Sequence, residues 1–303
     1  MTRRTPRSGR LGLRELLGLA LSAVMAACVN PAASPKASTG LPDAGPTPVV
    51  TDYELATTVW IDGFVVTIHS AIASLDAKGG PVSVLLRIEN PGADDATLDA
   101  PIRLTASGAA FELAHGTELP EIPAAGAAEL TIEFEVVGRS TIDDGVLRIG
   151  RTEDHQVQIP FGPGAVKRVT LEPVAQDLTG TGTAGLLRAT LHRAVVRWDL
   201  PDWHTELPNT TAAMTLTYDA TYTGDFAGGF ALTADSVGLR LPDGTVVAPR
   251  ADGHSQSILL IGPKQTARAL ESRFEIPTGL TGKFALIIRD GSTQKAITFT
   301  IGP

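Results

Sequence analysis

Few residues in this chain have the type and spacing to do chemistry. Cys28 is the single thiol in 303 residues, and a thiol is both a nucleophile and an acyl acceptor. It closes an apolar run, Leu16 to Ala27, behind Arg3, Arg4, Arg7, Arg10 and Arg14. A positive stretch, an apolar stretch and small residues before a cut form an export signal. The run of 12 residues is shorter than the ~20 a membrane-spanning helix needs. A second cluster is Trp198-Asp199-Leu200-Pro201-Asp202-Trp203-His204-Thr205-Glu206, with two of the three tryptophans, three carboxylates and a histidine. Trp198, Asp202, Trp203 and His204 are its candidate partner contacts, because tryptophan is enriched at interface hot spots. Two other readings stand beside that one: the tryptophans stack on a sugar, or they fold back to cover the end of a domain.

Other chemistry lacks its components. There is no Gly-x-Ser-x-Gly elbow. No His-x-x-x-His or Cys-His spacing offers a zinc site. His69 and His192 follow apolar residues in matching contexts and should point away from a core; His115, His155 and His254 stand apart. Asp94-Asp95 and Asp143-Asp144 are adjacent turn carboxylates without the alternating oxygens of a calcium loop. Gly224 to Gly229 is glycine-rich, but no helix follows to complete a phosphate cradle. The expectation is a protein that is not an enzyme, with no cofactor and no metal.

Met25-Ala26-Ala27-Cys28 resembles the lipobox of bacterial lipoproteins. The resemblance implies that the cysteine is acylated, the chain is cut before it, and the lipid stays in the membrane. A single acyl chain holds a protein only marginally, whereas two or more anchor it; the diacylglyceryl group of that family meets the requirement. An ordinary cleaved signal would leave the chain secreted instead.

Five arginines and one glutamate leave with residues 1–27, so the mature chain carries 20 basic and 32 acidic residues, a net charge of −12. Nucleic acid and anionic surfaces repel such a chain, which excludes nucleic acid as a partner. The expected partners are the membrane, through the N-terminal lipid, and a protein or envelope polymer. One cysteine allows no disulfide framework, so each domain must hold together by core burial.

The elements that position these residues read as β throughout. Residues 28–50 hold Pro31, Pro35, Pro42, Pro46 and Pro48 among small residues and read as a flexible tether. From Thr51 short alternating runs begin. Val82, Val84, Leu86 and Ile88 share a face, as do Leu130, Ile132, Phe134 and Val136. Period two with frequent turn dipeptides such as Asp62-Gly63 and Asp243-Gly244 predicts antiparallel sandwiches. The second half repeats the first in order. Ile68-His69-Ser70-Ala71-Ile72 matches Leu191-His192-Arg193-Ala194-Val195; the strand from Val82 matches that from Met214; Leu130 to Val136 matches Leu270, Ser272, Phe274 and Ile276; both copies stop at Gly-Pro. From the matched histidine to the closing Gly-Pro the second copy is 17 residues longer, mainly at Trp198–Thr211 and around Pro249–Pro263, and long loops on a rigid scaffold commonly carry function.

The organisation expected is therefore all-β: a signal at 1–27, a tether at 28–50, and sandwiches at 51–163 and 164–303. With its lipobox, Met25 to Cys28, and its strand-then-turn stretches, Val84–Gly92 and Leu216–Gly224, the chain resembles bacterial surface lipoproteins with tandem immunoglobulin-like domains. That likeness implies an extracytoplasmic, lipid-anchored binding, adhesion or scaffolding module. The alternative is a binder of small ligands or carbohydrate using loops of the second domain.

Overall fold

Alternation sets the strands. In the run 82–88, Val82, Val84, Leu86 and Ile88 are fully buried, while Leu85 and Arg87 between them face outward. The computed structural model describes residues 47–251 and 258–301. The export signal, Cys28, most of the tether, Asp252-Gly253, His254 and the closing Gly302-Pro303 lie outside the described residues.

The first half contributes β1 (Val49–Ile61), β2 (Phe64–Leu75), β3 (Gly79–Glu89), β4 (Ile102–Ala106), β5 (Ala109–Glu112), β6 (Ala127–Val137), β7 (Val146–Ile149) and β8 (Val157–Pro160). They form two antiparallel sheets, β1-β2-β3-β6 and β5-β4-β7-β8. Phe64, Phe134, Ile68, Ile132 and Leu104 fill the space between. The second half contributes β9 (Val174–Ala184), β10 (Leu187–Arg197), β11 (Asp199–Leu200), β12 (Thr205–Glu206), β13 (Thr211–Tyr222), β14 (Phe230–Thr233), β15 (Val237–Arg240), β16 (Val246–Val247), β17 (Ile258–Ile261), β18 (Thr266–Pro277), β19 (Gly282–Asp290) and β20 (Thr293–Ile301). Its main sheets are β9-β10-β13-β18 and β16-β15-β19-β20, with a second apolar cluster around Met214, Leu216, Phe274 and Phe284.

The chain is thus an all-β protein of antiparallel sheets packed as sandwiches. Its strand order differs from that of an immunoglobulin domain, where the third strand crosses to the opposite sheet. Here β3 stays beside β2. The connection is a tight turn closed by Asp76 and Gly79, each donating its N–H to the other's carbonyl. So short a turn cannot cross the ~10 Å between packed sheets.

The strand orders of the main sheets correspond one to one, and several of their irregularities recur. His69 is the extra residue of a bulge between β2 and β3, and His192 is the extra residue of the same bulge between β10 and β13. Both are exposed. Ala125 and Lys264 hold the same left-handed backbone, φ 52° and 56°, in matching turns. The isolated bridge Ala96–Ile122 of the first half is widened in the second to the ribbon β14–β17, where Phe230 pairs with Ile261.

Candidate binding face and interdomain joint

The connection from β10 to β13 holds the aromatic and acidic cluster. Asp199-Leu200 and Thr205-Glu206 pair as a small ribbon. Pro201–Trp203 makes one 3-10 turn, which His204 ends in the left-handed region, φ 45°. Leu200, Leu207 and Ala213 are buried together and fix the base of the loop.

The inner side of this loop seats on the first sandwich. The target is the turn between β1 and β2, Asp62-Gly63, with φ of 48° and 81°. Two such left-handed residues make the hairpin turn that suits strand twist. The turn leaves main-chain groups pointing at the loop. Asp62 N–H donates to Glu206 Oε2 at 3.0 Å, and Gly63 N–H donates to Asp199 Oδ2 at 2.8 Å. The carbonyl of Asp62 lies 3.1 Å from His204 Nδ1; a carbonyl only accepts, so this nitrogen carries the proton. The His204 ring also packs on Phe64, centroids 4.7 Å apart. Arg197 holds Asp199 from the other side with two bonds, 2.7 and 2.9 Å. A second seam lies beside the first. His155 donates its N–H to the carbonyl of Leu207, and Asn209 donates its N–H to that of Glu153. His155 Nε2 donates to the carbonyl of Thr211 at 2.7 Å, and its ring meets Trp198 edge-on at 6.4 Å.

The joint is unusually acidic for a buried place. Asp62, Asp199 and Glu206 are each under 8 % exposed. Burial pushes the Glu206 carboxyl up to about 9, helped by the charges of Asp199 and Asp62. Burial also raises Asp62 to about 6, against the pull of Arg151. Glu206 Oε1 is buried without a hydrogen-bond partner. A buried charge needs a partner or a proton, so Glu206 is neutral at pH 7.

The outer side of the loop faces solvent. Trp203 is 44 % exposed, with the Arg250 guanidinium 5.2 Å from its ring centre. Arg250 also pairs with Glu275. Asp202 pairs with Arg273 at 2.7 Å. Beside them runs a shallow groove of about 450 Å³ on the outward face of β10, β13 and β18, lined by Arg193, Arg197, Thr215, Glu271 and Arg273. Among the described residues no three acidic, histidine or cysteine side chains converge as a metal site.

The four residues singled out from sequence therefore separate. Trp198 turns inward against the second core. His204 sits in the joint. Asp202 and Trp203 stand at the rim of the groove. Sequence reasoning passed over Arg193, Arg197 and Arg273, although residues 193, 195 and 197 alternate outward on β10. It also passed over Asp62-Gly63, which reads only as a turn. The paired carboxylates behave as surface groups: Asp143 accepts from the Tyr53 hydroxyl at 2.9 Å, and Asp144 accepts from Ser107 and Arg139.

Comparison with known families and with curated proteins finds no match. Among solved structures, the chain is similar to a conserved domain protein from Bacillus anthracis, at 11 % identity and a TM-score of 0.23, over 82 % of this chain and 90 % of that one. A likeness at that score does not bear on activity.

Proposed function

We propose that this chain is a non-catalytic, lipid-anchored protein of the bacterial cell envelope, lying outside the cytoplasm. Cys28 carries the lipid, and the second sandwich binds a protein or envelope polymer. The observation that carries the binding half is the position of Trp203. The loop is fastened beneath by Asp199, His204 and Glu206 and at its rim by Asp202, so the tryptophan stays at the surface instead of collapsing onto a core. A large aromatic side chain held in place before contact loses little conformational freedom on binding, which favours affinity. The neighbouring arginines give the groove polar anchors for the rim of an interface.

Replacing Trp203 by Ala should weaken retention of envelope material by the full mature chain about tenfold or more, as for a hot-spot aromatic, and leave the melting temperature unchanged. A fall in melting temperature with retention intact would instead make Trp203 a packing residue. Intact mass of protein extracted from membranes tests the anchor. The expected species begins at Cys28 with acyl mass added; an unmodified N-terminus at Ala27 or Val29 would refute it. The second reading, a carbohydrate or small-ligand binder, is favoured by the openness of the groove and its alternating polar lining. Tighter binding of soluble glycans than of any envelope protein would select it.

A further inference from the structure

The duplication supplies an internal control for the second core. Strand register places Leu86 opposite Leu130 and Val84 opposite Ile132 in the first sandwich; the same places in the second hold Tyr218 opposite Leu270 and Leu216 opposite Ser272. Leu86 and Ile132 are fully buried apolar residues; Tyr218 and Ser272 are equally interior, at 3 % and 4 % exposure. Their hydroxyls bond to each other at 3.1 Å. Serine where the other copy has isoleucine removes side-chain volume, which tyrosine in place of leucine offsets only in part. A pocket of about 270 Å³, half open to solvent, lies there; Leu232, Val237, Leu259 and Leu270 line it with Tyr218 and Ser272, and the exposed Arg268 and Glu271 also border it.

Two further departures fall at the same place. β18 carries a bulge beside this cavity, with Ala269 at φ 51° and its N–H donated to Asp219 Oδ1; β6 pairs with β3 without interruption. The single bridge of the first copy is also extended into the β14–β17 ribbon, whose Leu232 and Leu259 form one wall. Bulges concentrate where a strand must be bent away or a side chain re-aimed.

We propose that the second sandwich holds a binding pocket for a small molecule with a ring-like apolar body and one hydroxyl. The 150 Å³ cavity that admits benzene scales to about ten to twelve non-hydrogen atoms here. The four aliphatic walls take the apolar body. The Tyr218–Ser272 pair uses only part of its hydrogen-bonding capacity on itself, and a ligand hydroxyl completes it. Burial raises the Tyr218 phenol, so it remains a donor at neutral pH. This site opens on the other face of the sheet from the groove beside Trp203 and shares only Glu271 with it, so a negative result here leaves that reading standing.

The test uses the full mature chain with 2-naphthol and naphthalene, followed by calorimetry and by methyl NMR shifts of Leu232, Val237, Leu259 and Leu270. 2-Naphthol should bind and shift these methyls. Naphthalene should bind about five- to tenfold more weakly, the worth of one hydrogen bond. Ser272→Ile, which restores the side chain of the first copy, should abolish binding. Tyr218→Phe should keep naphthalene binding and lose the preference for the alcohol; it carries the test if Ser272→Ile fails to fold. Unshifted methyls at saturating 2-naphthol would overturn the proposal, as would undiminished affinity in Ser272→Ile or an unchanged preference in Tyr218→Phe.

Discussion

Gly63 illustrates how much one residue can carry. Its φ of 81° is one that side chains with a Cβ adopt at a cost of about 1–2 kcal/mol. A Cβ there would also lie 2.8 Å from Pro201 Cα and O. Gly108 has the same φ of 81° with nothing within 4 Å of such a Cβ. The pair separates backbone strain from docking. Gly108→Ala should cost about 1 kcal/mol in denaturant unfolding, and Gly63→Ala should cost more, by about 1–3 kcal/mol, as expected for overpacking against fixed backbone. Equal losses would mean that the loop does not press on the turn. Sequence alone marks both glycines as turn residues. It cannot distinguish them, because Pro201 reaches Gly63 only through the tertiary fold. Ser272 is hidden in a different way: it occupies its proper place in an alternating run, Leu270, Ser272, Phe274, Ile276, and the pattern tolerates one small polar member without comment.

At the level of the element, strands were legible and the loop was not. Period two is a local signal, and β3, β6, β13 and β18 follow it with their inward residues buried, apart from half-buried residues such as Leu130 and Leu270 at the strand ends nearer the ribbon. The matched irregularities at His69 and His192 were visible as repeated five-residue segments, though not as bulges. The 198–207 connection has no period; its partners, Asp62 and Gly63, lie 144 and 136 positions away. Its acidity sets a pH dependence with a definite sign. Glu206 and Asp62 both have folded pKa values above their ordinary ones, about 9 and about 6. The folded joint therefore binds more protons than the unfolded chain, and stability falls as pH rises. For Glu206 the fall begins near its ordinary value of 4.5 and is complete near 9; for Asp62 it runs from 3.8 to about 6. Glu206→Gln keeps an oxygen for the Asp62 N–H but cannot ionise. It should flatten the decline in melting temperature between these limits and be the more stable protein at the alkaline end. A variant with the same slope as the native chain would show that Glu206 is not the titrating group.

Across the whole molecule, two sandwiches with separate cores are fastened through Asp199, His204 and Glu206, and the fastening is polar. Such a joint transmits force only while its hydrogen bonds hold. Asp199→Ala removes the acceptor of the Gly63 N–H and leaves Arg197 without its bidentate partner. The native chain should unfold in one calorimetric transition, and Asp199→Ala should resolve into two, one per core. A single sharp transition in the variant would place the coupling elsewhere, in the second seam at His155. The all-β architecture and its repetition could be read from sequence because both copies use the same alternation. The difference in what fills their interiors could not, since it depends on which residues face each other across a register.

The separation of the joint's two halves along the chain also makes the first sandwich depend on residues far beyond it. The β1–β2 hairpin is made early, yet its turn presents two N–H groups whose acceptors, Asp199 and Glu206, are synthesised more than a hundred residues later. Without that later loop the two amides would be left to water, so a chain ending short of residue 199 would leave this socket of the first sandwich wet.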